Sequence, residues 1–208
     1  MGSLPIFAIL AIPIFLGGGL YAIYNHWLPN PHAGHGHAHV VDAILKGKSG
    51  YLNLAFFWVR AAVYFSLWIL ISQWYLRKSI EQDKIGGIEI TKKLQYWSPI
   101  SILVFAFTTT FATFDWIMSI DPHWYSTILG VYFFAGCVVA IYATLSLFVV
   151  ILKGQGLLKD IISVEHAHDL GKMVFGFVVF WAYIAFSQFM LIWYANIPEE
   201  TQWYYYRS

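Results

Sequence analysis

Cysteine and charge are both scarce in this sequence. Cys137 is the single cysteine among 208 residues, which excludes intrachain disulfides, cysteine-ligated iron–sulfur clusters and zinc ribbons. Charged residues make up 11% of the chain, whereas a soluble domain is normally about a quarter charged. Histidine is absent from the interior of every apolar run. The eight stand at His26, His32, His35, His37, His39, His123, His166 and His168. A membrane b-type cytochrome needs histidines deep in its helices, so no haem is expected on this chain. No G-x-x-x-x-G-K-[ST] phosphate loop occurs, so the chain is not a nucleotide-driven pump by itself. No basic cluster interleaved with aromatics points to nucleic acid. No Lys or Arg precedes the first apolar run, so a cleaved secretory signal is not expected.

What is present is apolar and aromatic: 59% of residues are hydrophobic and 20% aromatic. This is the composition of an integral membrane protein. Five runs, 4–24, 51–76, 98–119, 125–152 and 171–195, reach about the ~20 residues that cross a bilayer as helix. The expected fold is all-α, a polytopic transmembrane helical bundle forming a single integral membrane domain over 1–208. Pro5, Pro13 and Gly17-Gly18-Gly19 interrupt the first run, which reads as a bent helix. Five spans make an odd bundle, and a longer polypeptide is expected.

The chain is organised around Phe114-Asp-Trp-Ile-Met-Ser-Ile-Asp-Pro-His-Trp-Tyr-Ser126. Asp121-Pro122 is a turn signal, because proline cannot continue the preceding hydrogen-bond ladder. Trp116 and Trp124 are of the type that settles where lipid meets water. The stretch reads as a helical hairpin tip at a membrane surface, with Asp115 just below it.

Orientation follows from basic residues in the connectors. Arg77, Lys78, Lys84, Lys92, Lys93, Lys153, Lys159 and Lys172 lie in the segments 77–97 and 153–172, against Lys46, Lys48 and Arg207 on the opposite face. The basic connectors are therefore expected in the cytoplasm. The histidine-rich loop and the Asp121 corner are expected in the periplasm.

Arg60 is the most informative single residue. It lies roughly 13 Å into its span at 1.5 Å rise per residue, where a charge costs on the order of 2.5–3.5 kcal/mol even on lenient scales. It must face protein or a water cavity and find a partner. Asp115 lies roughly 6 Å below the same surface, within reach of an arginine if the helices are neighbours. The pair reads either as part of a proton path or quinone pocket, or as a structural lock between two helices. Ser101, Thr108, Ala112, Asp115 and Ser119 form a polar or small stripe at helical spacing. Such a stripe can order a water wire, or pack helices through hydroxyl hydrogen bonds. Glu165, His166, His168 and Asp169 gather ionisable groups at the cytoplasmic mouth of the last span, suited to proton collection or to plain solvation. The loop Pro31-His-Ala-Gly-His-Gly-His-Ala-His39 can hold a metal, but a mobile or partner-covered loop explains it as well, and no metal is assigned. Met173, Gly176, Phe180, Tyr183, Ser187 and Met190 share one face of the last span. Together with Tyr142 they suit either a quinone slot or a lipid-facing stripe.

Three stretches carry a resemblance: Phe114 to Thr127, Val131-Tyr-Phe-Phe-Ala-Gly136, and Phe180-Trp-Ala-Tyr-Ile-Ala-Phe-Ser-Gln-Phe189 followed by Ile192 to Thr201. They resemble the ActF-type membrane subunit of bacterial alternative complex III, a quinol:cytochrome c or quinol:electron-acceptor oxidoreductase whose anchors are related to NrfD and polysulfide reductase. The resemblance runs from about Tyr51 to Thr201. It implies a subunit without its own redox centre in the bacterial inner membrane, serving as scaffold and proton half-channel. It also implies partners: a paralogous quinol-binding membrane subunit, an iron–sulfur protein, c-type cytochrome subunits and a terminal oxidase. Quinol or menaquinol would bind at a neighbouring subunit, with haem c and iron–sulfur clusters in the partners. Family members have about ten spans, so this chain would correspond to about half of a larger two-bundle subunit. On that basis the proton-path candidates are Glu165, His166, His168 and Asp169 on the cytoplasmic side. Thr108, Tyr142 and Ser187 would serve the middle, and Arg60, Asp115 and His123 the outer end. Direct quinone binding by this chain and a purely structural anchor are the alternatives.

Overall fold

The computed structural model describes residues 23, 24, 27, 43–156 and 161–205. Every regular element among them is helical. In chain order these are α1 (Ala43–Lys48), α2 (Leu54–Ile85), α3 (Glu89–Trp116), a short 3-10 turn (Met118–Ile120), α4 (Ile128–Gly154), α5 (Val164–Ala195) and α6 (Pro198–Tyr205). Four helical stretches are long and apolar enough to cross a membrane: Leu54–Ile85, Glu89–Ile120, Ile128–Gly154 and Val164–Ala195. They mark the chain as a helical membrane protein. The described residues thus hold four spans where the sequence suggested five. All of the first expected span (4–24) but Ile23 and Tyr24 lies outside the described residues, and so does the histidine-rich loop.

The helices outrun the expected spans at the basic ends. The segment 77–97 reads as a connector, yet α2 continues to Ile85 and α3 begins at Glu89. The break spans only Gly86, Gly87 and Ile88, and the φ angles of Gly86 and Gly87, 71° and 85°, suit glycine alone. Gln82 staples this turn, accepting from Gly86 N through its carbonyl at 2.8 Å and donating from Nε2 to Thr91 Oγ1 at 2.5 Å. The segment 153–170 also reads as a connector, but α5 starts at Val164. Ser163 caps it: its hydroxyl accepts from His166 N at 3.4 Å, while His166 Nδ1 accepts from Ser163 N at 3.2 Å. This reciprocal pair replaces the usual Glu or Gln of a capping box by histidine. Charge in a segment did not stop the helix, because caps and the first turn prefer polar residues.

The remaining ends follow local chemistry. Asn53 Oδ1 accepts from Phe56 N at 2.8 Å and starts α2 three residues later than the apolar run suggests. Asn196 closes α5 in the left-handed region at φ 46°, a conformation that asparagine tolerates. Pro198 follows it. Pro99 lies inside α3 and cannot supply the usual donor to the preceding turn.

Contacts divide the chain into two compact units, Met1–Tyr125 and Ser126–Ser208. In the first, α2 and α3 pack as an antiparallel pair: Tyr75 meets Ser101, Trp68 meets Thr108, and Arg60 meets Asp115. Tyr24 and Phe57 form the buried apolar centre, with Trp27, Trp58 and Trp116 packed against it. In the second unit α4 and α5 pair antiparallel through stacked rings. Tyr132 lies on Trp181 with centroids 5.4 Å apart, and Tyr142 on Phe177 at 5.5 Å. Gly136 lets the Trp181 ring lie close to α4, since a Cβ there would meet Trp181 Nε1 at 3.4 Å. The outward faces of these helices are strongly apolar: Leu70, Phe107, Val150 and Phe175 are each more than 60% exposed. In water such faces would be unstable, whereas in lipid they are matched to their solvent.

Candidate functional site: a buried arginine–aspartate pair

The first unit places two opposite charges inside the α2–α3 interface. Arg60 is 8% exposed and Asp115 1%. Arg60 Nε donates to Asp115 Oδ2 at 2.8 Å. The two depths inferred from sequence permit this contact, and antiparallel packing makes it. Tyr64 lies one turn along α2 from Arg60, and its hydroxyl donates to the same Oδ2 at 2.7 Å.

The guanidinium is held from three further directions. Arg60 Nη1 donates to the Tyr51 carbonyl at 3.0 Å. Its central carbon lies 3.9 Å from the centroid of the Tyr51 ring and 4.3 Å from that of Phe56. A cation over an aromatic face is attracted by the ring quadrupole, and more strongly where water is excluded. Arginine suits this position because its planar group can stack and donate at once. Asp115 is itself fixed by its neighbours, since the Ser119 hydroxyl donates to the Asp115 carbonyl.

The polar stripe of α3 points into this interface. Thr108, Thr109, Ala112, Thr113, Asp115 and Ser119 are all buried. Their hydroxyls largely bond backward to their own helix. Thr108 Oγ1 reaches Val104 O at 2.7 Å, Thr113 Oγ1 reaches Thr109 O at 2.8 Å, and Ser101 Oγ reaches Trp97 O at 3.0 Å. They also accept from α2: Trp68 Nε1 donates to Thr108 Oγ1 at 2.8 Å, and Tyr75 Oη lies 3.0 Å from Ser101 Oγ. Ser101, Thr108 and Asp115 recur every seven residues, two helical turns, so one seam of α3 carries all three contacts. Their α2 partners Tyr75, Trp68 and Tyr64 are not evident from the sequence as site residues. The available signal is their spacing from Arg60 along one helix face, with each side chain carrying an O–H or N–H.

The corner joining α3 to α4 is polar on its surface and packed within. Asp121 Oδ1 accepts from His123 N at 3.2 Å, a tight local turn. His123 Nδ1 lies 3.9 Å from the same oxygen, and both side chains are about 40% exposed. Trp124 is 2% exposed. Its ring is packed inside the protein. Lys48 Nζ donates to the Pro122 carbonyl and ties α1 to the corner. Tyr24 Oη and Trp27 Nε1 donate to the carbonyls of Trp116 and Ser119, each at 3.0 Å. These bonds satisfy carbonyls freed where α3 ends.

The other sequence candidates lie in the second unit. Glu165, His166, His168 and Asp169 are exposed on the first turns of α5, on a helix and not in the loop the sequence suggested. Asp169 Oδ1 pairs with Lys172 Nζ at 2.6 Å, and His166 is engaged in the cap. Tyr142 is half-buried against Phe177, and Ser187 is half-buried beside Gln188, whose Nε2 donates to Ser126 Oγ at 3.4 Å. Met173, Phe180, Tyr183 and Met190 are each more than a third exposed, so this unit leaves that stripe outward. Among the described residues no three His, Cys, Asp or Glu side chains gather as a metal site.

No protein-family model and no curated protein matches this chain. The class that the fold and the pair define is therefore a helical membrane protein with a buried, hydrogen-bonded ion pair in one of its helix–helix interfaces.

Proposed function

We propose that this chain is a membrane subunit of a quinol:electron-acceptor oxidoreductase of the alternative complex III type, in the bacterial inner membrane. It holds no redox centre of its own and contributes scaffold and a proton half-channel. The observation that carries this reading is the Arg60–Asp115 pair with Tyr64 on the same carboxylate oxygen. Charge at membrane depth is costly and recurs where protons or ions move. The three motif stretches support the choice of complex. In this reading Asp115 is the protonatable centre, and Glu165, His166, His168 and Asp169 collect protons at the opposite surface. Quinol, haem c and iron–sulfur clusters belong to neighbouring subunits.

A second reading, the structural anchor, is favoured by the hydroxyl contacts. Thr108, Thr113 and Ser101 spend their protons on their own helix backbone while accepting from, or merely packing against, α2. A seam of this kind holds two helices in register without moving anything.

Asp115→Asn in the whole complex, purified and reconstituted, separates the two. Quinol oxidation and proton uptake per electron are recorded per assembled complex. Lost proton movement with quinol turnover kept supports the half-channel. Normal values for both assign the pair to structure. Weakened quinol affinity with lost oxidation assigns it to a quinone site instead.

A further inference from the structure

The turn between α2 and α3 carries apolar side chains that the chain leaves uncovered. Ile85 is 71% exposed and Ile88 62%. The level of the membrane surface is marked below them. Trp74 and Trp97 meet across the two helices with centroids 6.4 Å apart, with Tyr75 and Tyr96 beside them. Such a belt of aromatics sits at the headgroups. Ile85 lies eleven residues beyond Trp74, and Ile88 nine before Trp97. At 1.5 Å per residue the tip stands roughly 13–17 Å past the belt, beyond an interfacial layer about 5–8 Å deep. The turn is also preset. Gln82 bonds Gly86 and Thr91 across it, and Gly86 and Gly87 take positive φ angles, so it holds both isoleucines outward. Its flanks are biased to one sign of charge: Arg77, Lys78, Lys84, Lys92 and Lys93 against Glu81, Asp83 and Glu89. Lys78 pairs with Glu81 at 2.5 Å and Lys92 with Glu89 at 3.2 Å. Among the described residues that leaves Arg77, Lys84 and Lys93 against Asp83 alone. Arg77, Ile80 and Lys84 are all exposed and share one face of α2 by their spacing.

We propose that this tip is the docking surface for a soluble protein partner whose apolar pocket is rimmed by acidic side chains. Ile85 and Ile88 enter the pocket. Lys84 and Lys93 face its acidic rim, and Arg77 with Ile80 extends the contact down α2. An apolar centre within a polar rim is the anatomy of a protein–protein contact, and a preset turn loses little freedom when it binds. Opposite charge across the rim steers the encounter and rejects wrong partners. A second copy of this chain does not fit, since it brings the same excess of positive charge. A membrane surface satisfies the cations but ends below the isoleucines. The partner stands on the side of the basic connectors, the side expected to be the cytoplasm. The inference goes beyond the proposed function and needs neither quinol chemistry nor a proton path.

Photo-crosslinking of the full chain in its native membrane tests the surface. Benzoylphenylalanine is placed at Ile85, at Ile88 or, as the lipid reference, at Leu103, an exposed residue of α3 within its apolar run. After irradiation the adducts are purified through this chain and read by mass spectrometry. Leu103 is expected to give lipid adducts. Ile85 and Ile88 are expected to give an adduct with one protein, whose joined peptide carries Asp or Glu beside apolar residues. Lys84→Glu with Lys93→Glu, added to the probed chain, is expected to cut that adduct several-fold, and raised salt is expected to do the same. Lipid adducts alone, or no adduct, at the two tip positions overturn the proposal. So does an adduct with a second copy of this chain. A protein adduct whose yield ignores both charge reversal and salt overturns it as well. If the charge-reversed chain does not reach the membrane, the salt series on the singly probed chains decides. Quinol oxidation and proton uptake do not enter the readout, so a failed docking surface and a failed half-channel are told apart.

Discussion

Tyr64 donates its phenolic proton across 2.7 Å to Asp115 Oδ2, the same oxygen that receives Arg60 Nε. One carboxylate oxygen thus holds two residues of α2 that stand one turn apart. The arrangement fixes the rotation of α2 against α3 more tightly than apolar packing would, because lipid tails compete freely for apolar contacts but not for these bonds.

Removal of one charge leaves the other buried and unpaired. Asp115→Ala or Arg60→Ala is expected to destabilise the chain in detergent by about 3–5 kcal/mol. The joint replacement Arg60→Met with Asp115→Leu is expected to recover most of that loss, since a buried pair exchanged for apolar groups of similar volume is often neutral. Denaturant unfolding of the four proteins, followed by circular dichroism, checks the cycle. A loss in the double variant as large as the two single losses added together would show that the pair is not coupled.

Tyr64→Phe keeps the ring and deletes only the donor to Asp115. The expected cost is about 1–2 kcal/mol, the upper range for a bond inside a membrane interface. Tyr75→Phe removes a part-buried contact with Ser101, and its cost is expected to fall below about 1 kcal/mol. The same unfolding assay should rank them in that order.

Gly136 is a size filter in the second unit. A Cβ there meets Trp181 Nε1 at 3.4 Å and Cδ1 at 3.7 Å. Gly136→Ala is expected to be close to neutral, its helix propensity offsetting a tight contact. Gly136→Leu must displace the Trp181 ring and is expected to cost about 1–3 kcal/mol. Midpoints of thermal unfolding distinguish the two.

Ser163→Ala removes the hydroxyl that caps α5. The expected loss is about 0.5–2 kcal/mol, expressed locally. Hydrogen exchange should quicken at the amides of Glu165, His166 and Ala167 while the middle of α5 is unchanged. Uniform quickening along α5 would place the effect elsewhere.

Sidedness is open to labelling. With Cys137 replaced, Asp83→Cys near the glycine turn is expected to react with an impermeant maleimide only from the cytoplasm. Tyr125→Cys, 51% exposed in the corner, is expected to react only from the other face. The expectation follows from the excess of Lys and Arg in 77–97 and 153–172, and the reverse pattern would invert it.

Much of the site is legible in the sequence because charge at membrane depth is so costly. Arg60 needed a partner, and Asp115 was the carboxylate at a suitable depth. The seven-residue recurrence of Ser101, Thr108 and Asp115 also marks one face of α3. The α2 partners were hidden because Tyr64, Trp68 and Tyr75 look like the other aromatics in a chain that is 20% aromatic. Nothing in a single sequence says which rings face inward. The length of the helices was hidden for another reason. Hydropathy reports where lipid ends, not where the helix ends, so α2 and α3 extend through 77–85 and 89–97 beyond the apolar runs.

That extension makes the first unit a strut. At 32 residues, α2 measures about 48 Å, taking 1.5 Å per residue, against a hydrocarbon thickness of about 30 Å. The surplus carries Arg77, Lys78, Glu81, Asp83 and Lys84, which belong in water, and it ends at the Gly86-Gly87 turn. Any soluble body seated on that turn is held off the lipid surface by several helical turns. Below the turn the two helices are tied by Trp74 with Trp97, then Tyr75 with Ser101, then Trp68 with Thr108, and last by Tyr64 and Arg60 with Asp115, so the charged overhang and the buried charge stand at opposite ends of one continuously cross-tied hairpin.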